Sequence, residues 1–157
     1  MQEEKIITHS AKETQDVAIK LAQQILQQKS NNSAVVLALH GDLGAGKTTF
    51  LQGFAKGLGV GEVVNSPTFL IFKKFKIKRN KKQDTITKPF ENFYHVDCYR
   101  LNDAEEILPL DFKEIIKNPQ NIVAIEWAEK IAVLLPKDVT QINFNHLEGD
   151  TREIILH

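Results

Sequence analysis

The chain has 157 residues, with 20 basic and 20 acidic side chains, 42% hydrophobic residues and one cysteine. That length suits one domain able to bury about 68–70% of its unfolded surface, and the lone Cys98 excludes an internal disulfide framework or a zinc site of several cysteines within one chain. No apolar run approaches the roughly 18 residues of a membrane span, and the acidic start lacks the apolar core of a secretory signal, so a cytoplasmic setting with no membrane partner is expected.

Lys5–Thr8 reads as a short opening strand. Ser10 is a helix N-cap signal, and Glu13 three residues later completes a capping box. Val17, Leu21 and Ile25, with Ala18, Ala22 and Leu26 beside them, make one apolar face of a helix from about Ala11 to Gln28. Ala34–Leu39 (AVVLAL) is a continuous apolar run that suits a strand covered on both faces. A glycine-rich turn follows, then a helical pattern through Phe50, Phe54 and Leu58, stopped by Gly57 and Gly59. Phe69–Ile77 and Phe93–Val96 read as strands of a long-looped hairpin. Asp103–Leu108 and Phe112–Ile116 are short helical candidates, the first capped by Asn102 or Asp103. Ile122–Ile125 is a second buried strand. Ile131–Leu135 is a helical turn closed by Pro136, and Val139–Phe144 with Glu153–Leu156 form a closing pair of strands. Strands alternate with helices early and pair late. The expected fold is therefore a three-layer α/β domain over residues 1–157, with a mostly parallel sheet and antiparallel additions.

The zero net charge hides an asymmetry. Lys73–Lys88 holds eight basic residues (Lys73, Lys74, Lys76, Lys78, Arg79, Lys81, Lys82, Lys88) against Asp84 alone, so this stretch is +7 and the remainder −7. A basic loop over about 73–92 reads either as a solvated segment or as a docking surface for nucleic acid or an acidic partner.

Gly41-Asp42-Leu43-Gly44-Ala45-Gly46-Lys47-Thr48 matches G-x-x-x-x-G-K-(S/T) at every fixed position. Glycines let the chain wrap phosphate oxygens with main-chain N–H groups. The N-terminus of the following helix, which runs on through Thr49, adds to the attraction. Lys47 supplies a charge for the β- and γ-phosphates, and the Thr48 hydroxyl a ligand for Mg²⁺. Such a loop needs a carboxylate at a neighbouring strand end. Glu126 follows the strand IVAI, and Asp97 follows Phe93–Val96. Thr68, in Ser66-Pro67-Thr68-Phe69, stands where nucleotide switches use a hydroxyl to sense the γ-phosphate through magnesium. ATP is favoured over GTP, because no D-x-x-G occurs. Asn80-Lys81-Lys82-Gln83-Asp84 is one residue too long for the guanine motif. None of the five histidines pair at metal-ligand spacing, and His95 alone lies near a motif. Trp127 reads as packing, or as a switch or interface residue.

The order of Gly41–Thr49, Ser66–Phe69, H-x-D-x-Y-R-L (His95, Asp97, Tyr99, Arg100, Leu101) and E-W-x-E (Glu126, Trp127, Glu129) resembles the bacterial TsaE family, also called YjeE, from about Ser10 to the C-terminus. The resemblance implies a small P-loop ATPase. It would act in making threonylcarbamoyladenosine at position 37 of tRNAs that read ANN codons, alongside the TsaD–TsaB pair. It implies Thr48 and Glu126 as magnesium ligands, Lys47 on the phosphates, Asp97 near the attacking water and Arg152 near the adenine. The helix start around Ser10–Thr14 would close over the base. The stretch between Phe69 and His95 is about ten residues longer than is usual for that family, and the excess is basic. From the residues alone, a small P-loop kinase or phosphotransferase is the alternative, and a nucleotide sensor without turnover a third reading.

Overall fold

The computed structural model describes residues 3–28, 32–66, 71–78 and 90–157. In chain order they form β1 (Glu4–Thr8), α1 (Ala11–Leu26), β2 (Val35–His40), α2 (Lys47–Gly57), β3 (Phe72–Lys76) and β4 (Asn92–Asp97). A 3₁₀ helix (Ala104–Leu110), α3 (Phe112–Lys117), β5 (Asn121–Glu126), a second 3₁₀ helix (Ala128–Leu134), β6 (Thr140–His146) and β7 (Arg152–Leu156) follow. Among the described residues no helix is long and apolar enough to cross a membrane.

The strands make one sheet in the order β1-β7-β6-β2-β5-β4-β3. Its centre is parallel: β2 pairs with β5 and β6, and β5 with β4. The two flanks are antiparallel, β3 on β4 at one side, β7 on β6 and β1 on β7 at the other. The continuous apolar runs are therefore explained. β2 and β5 lie between parallel neighbours and under helices on both faces, so alternation disappears from them.

Side chains of β2 divide by parity. Val35, Leu37 and Leu39 join Phe50, Phe54 and Leu58 of α2 and its exit, and Ala18, Ala22 and Ile25 of α1. Val36 and Ala38 face the other way, onto Ile107, Phe112, Ile115 and Ile131 from the short helices. The expected three layers are present.

α1 begins as its cap signal predicts: the Glu13 amide donates to Ser10 Oγ at 3.1 Å. The reciprocal half differs. Glu13 Oε2 accepts from the amide of His9, one residue beyond Ser10, at 2.7 Å. The short helical candidate at Asp103–Leu108 and the helical turn at Ile131–Leu135 are 3₁₀ helices, over Ala104–Leu110 and Ala128–Leu134. Pro109 sits inside the first, and the second is kinked at Ile131 (φ −124°). The closing strands are antiparallel to each other as expected, but β6 also pairs parallel to β2 and so belongs to the central sheet.

α2 packs closely on α1 through Gly53 and Gly57. A Cβ on Gly53 would stand 2.5 Å from the backbone of Gln15, and one on Gly57 2.8 Å from the Ala22 Cβ. Gly53→Ala should therefore destabilise the protein, although alanine is the better helix former. Overpacking costs about 1–3 kcal/mol against roughly 1 kcal/mol of helix propensity. A denaturant midpoint that stays put or rises would contradict this close approach.

β3 and the two residues after it carry the described part of the basic stretch. Lys73, Lys74, Lys76 and Lys78 are exposed, while Phe75 and Ile77 turn into the core. Arg79, Lys81, Lys82 and Lys88 lie outside the described residues, as does Thr68.

Candidate active site

The glycine loop leaves β2 at its C-terminal end. Gly41 has φ +146°, and a Cβ there would lie 2.6 Å from the Phe144 carbonyl of β6, so only glycine passes this point without a shift. Gly46 (φ +107°) caps α2 with no side-chain hydrogen bond. The first amides of α2 consequently lack a capping side chain, and the positive end of the helix dipole faces the loop.

Lys47, the first residue of α2, is only 5% exposed. Its Nζ donates to the carbonyls of Gly41 and, at 3.0 Å, Asp42. It also lies 4.5 Å from the centroid of the Trp127 ring. Burial lowers the Lys47 pKa, and the surrounding carboxylates, Glu126 first, oppose that shift.

Two carboxylates meet beside the loop because β4 and β5 end in register, Asp97 opposite Glu126. Leu39, just before the loop, is the other neighbour of Glu126. Glu126 is 3% exposed. Its Oε1 accepts from Thr48 Oγ1 at 3.3 Å, and Ser66 Oγ lies 3.1 Å from the same hydroxyl. Oε1 is also 3.3 Å from Nε2 of the buried His95. Asp97 Oδ1 accepts from the Tyr99 amide at 3.0 Å.

Burial holds the Asp97 carboxyl above its ordinary 3.8, with the Tyr99 amide pulling the other way and the Glu126 charge adding to the rise. A carboxyl raised on folding favours the protonated native state, so stability falls as pH rises through the unfolded value and on to the raised folded one. Asp97→Asn keeps an oxygen for the Tyr99 amide and removes the charge. It should raise the melting temperature at pH 7, with the gain shrinking toward zero below about pH 4. A gain equal at both pH values would contradict the buried-carboxylate origin.

These groups line a cavity of about 350 Å³. Leu43, Gly44, Gly46, Lys47, Thr48, Thr49, Asp97, Glu126 and Arg152 all border it, while Gly41, Asp42 and Ala45 shape the loop behind. Arg152 runs alongside Gly46 and donates from Nη1 to the carbonyls of Gly149 (2.8 Å) and Thr151 (3.1 Å). Reasoning from the residues overlooked Ser66 as a site residue, although it stood in the quoted Ser-Pro-Thr turn. It also left Tyr99, Trp127 and Asp150 without a place in the cavity. Trp127 has φ +56°, a left-handed conformation uncommon for a bulky residue. Its ring packs 5.2 Å from that of Tyr99.

Three oxygens, from Thr48, Ser66 and Glu126, thus converge next to the loop. Among the described residues no group of three or more His, Cys, Asp or Glu side chains is arranged to hold a metal. A cation here would share its ligands with a phosphate. One carboxylate with hydroxyl oxygens is a donor set that fits Mg²⁺, which is held by one or two carboxylates, water and substrate phosphates rather than by an all-protein cage.

The sequence model of the family described as "Threonylcarbamoyl adenosine biosynthesis protein TsaE" matches residues 8–154. The tRNA threonylcarbamoyladenosine biosynthesis protein TsaE of Bacillus subtilis (strain 168) is 44% identical over 119 residues, which cover 76% of this chain and 66% of that protein. Its counterpart in Rickettsia prowazekii (strain Madrid E) is 34% identical over 150 residues, 95% of this chain and 91% of that one. Among solved structures, the crystal structure of YdiB from Bacillus subtilis superposes with a TM-score of 0.68 at 32% identity. That match covers 99% of this chain and 84% of that one.

Proposed function

The chain belongs to the TsaE family of tRNA threonylcarbamoyladenosine biosynthesis, with a P-loop NTPase-like fold, and from that premise we propose that it is a Mg²⁺-dependent ATPase, weak alone and activated by partner proteins. The observation that carries the reading is the contact of Thr48 with Glu126 at the head of the glycine loop. It joins the expected hydroxyl and strand-end carboxylate at one point.

In this reading the amides of Gly44 to Thr49 and the Lys47 ammonium take the β- and γ-phosphates. The 3.0 Å bond from Lys47 to the Asp42 carbonyl is exchanged for stronger charge-assisted bonds. Thr48 and Glu126 would hold Mg²⁺, which supplies charge neutralisation at the phosphates when bound. Asp97, whose carboxyl burial holds above its ordinary value, orients the attacking water and accepts its proton. Thr68 is assigned to sensing the γ-phosphate, and Arg152, on the Gly46 side of the cavity, to the nucleotide near its base.

The family's role in tRNA modification supports a place beside the TsaD–TsaB pair, in the cytoplasm, in forming threonylcarbamoyladenosine at position 37 of tRNAs reading ANN codons. Contact with tRNA runs through that pair or through the basic stretch 73–88. The exposed lysines of β3 suit a phosphate backbone.

Two variants separate the assigned roles. Glu126→Ala should weaken Mg·ATP binding and hydrolysis together, whereas Asp97→Ala should slow phosphate release and spare Mg·ATP affinity. Equal losses of Mg·ATP affinity in both would reject the division. Transfer of phosphate to an organic acceptor instead of water would replace the ATPase by a kinase.

A further inference from the structure

His95 has no part in the mechanism above. It lies on β4 two residues before Asp97 and is 0% exposed. Strand alternation turns it to the sheet face that Asp97 shares, which in-register Ala124 and Glu126 continue on β5. Its Nε2 is 3.3 Å from Oε1 of Glu126, the oxygen that also accepts from Thr48. Among the described residues neither ring nitrogen has an aligned hydrogen-bond partner.

A fully buried imidazole, on the sheet face that also carries Phe93 and Ala124, is costly unless its nitrogens are used, and buried side-chain polar atoms mostly have partners. Among the described residues, Glu126 Oε1 stands within reach of Nε2. A carboxylate that binds a metal needs a second group to fix its rotamer, and such outer partners orient the ligand without touching the ion. Thr48 is unsuited to that task, because its hydroxyl is itself assigned to the cation.

We propose that His95 is a positioning residue for Glu126: when the carboxylate turns to the cation beside Thr48, the Nε2–H, its nitrogen already 3.3 Å from Oε1, aligns on that oxygen and holds it there. This inference rests on the Mg·ATP reading of the site. It assigns His95 no contact with nucleotide, phosphate or metal. Loss of the donor should therefore change how much Mg²⁺ is needed and leave metal-free nucleotide binding alone.

The test is a Mg²⁺ titration of the binding of a fluorescent methylanthraniloyl ATP to the full chain, with a parallel measurement in EDTA. His95→Leu removes the donor, and His95→Phe does so while keeping a ring, in case leucine fails to fold. His95→Gln restores an N–H near the Nε2 position. The leucine or phenylalanine variant should need about 10–100-fold more Mg²⁺ for half-maximal binding. Its affinity in EDTA should stay within about two-fold, and glutamine should recover most of the loss. An unchanged Mg²⁺ requirement in His95→Leu or His95→Phe overturns the inference. So does an equal shift in His95→Gln, which would mark a packing effect. Wild-type binding indifferent to Mg²⁺ would reject the underlying reading and this inference with it, and is told apart because it appears before any variant is made.

Discussion

Lys47→Ala should lose tight ATP binding by about ten-fold to more than a hundred-fold while leaving the fold intact. Hydrogen bonds to charged groups contribute about 1.5–3 kcal/mol, and each 1.4 kcal/mol is ten-fold in affinity. The fold should survive for reasons visible in the structure. Lys47 opens α2, where alanine is a favoured residue. Its Nζ meets the Gly41 and Asp42 carbonyls and the Trp127 ring rather than the aliphatic core. Its removal also relieves the burial that lowers its pKa. Calorimetric titration with ATP checks the affinity, and a thermal melt checks the fold. An unchanged dissociation constant would end the phosphate-loop assignment.

Phosphate release by the isolated chain should be slow and should rise by about 10³–10⁵ with the TsaD–TsaB pair, the range in which a cationic group supplied in trans acts on the γ-phosphate. Among the described residues lining the cavity the cations are Lys47 and Arg152. Lys47 is the proposed phosphate ligand of the loop. Arg152 is tied through Nη1 to the carbonyls of its own hairpin, beside Gly46 rather than beside Asp97 and Glu126. Lys130, which follows the Glu126-Trp127 segment, donates to the carbonyls of Tyr99 and Leu101. The carboxylate side of the cavity is thus rich in negative charge, and a partner could complete it with positive charge. Steady-state phosphate release with and without the pair decides the matter. Turnover near 1 s⁻¹ or faster by the chain alone, with no response to the pair, would reject partner activation and favour a kinase.

The parts of the site legible in the sequence are those set by local chemistry. The spacing of Gly41, Gly46, Lys47 and Thr48 specifies a loop and the helix it opens, because backbone φ at the glycines and the N-terminus of α2 are properties of a few adjacent residues. Glu126 and Asp97 could be singled out because each ends an apolar strand. The Ser10 cap and the two antiparallel pairs were legible for the same reason. Ser66 was not, since a serine in a turn carries no mark of what lies opposite until Val64 is buried and the chain returns to Thr48. His95 stood in a quoted motif, but its contact with Glu126 was not legible. A histidine in a strand reads the same whether it faces solvent or a carboxylate.

By itself the amino-acid sequence determined the family, the α/β class with its mostly parallel sheet, and the glycine loop with the helix it opens, since these rest on short-range pattern: apolar runs, glycine positions and residues at strand ends. Tertiary structure alone decided the strand order, with β6 against β2 and β1 against β7, because pairing partners are chosen by burial of whole faces and not by neighbours in the chain. It decided the register that sets Asp97 beside Glu126, where a shift of one residue would turn one carboxylate to the opposite face. It also decided the helix crossing at Gly53 and the contact of His95 with Glu126. Each of these joins residues distant in sequence at separations of a few ångströms, and only the packed sheet and its helices fix such distances.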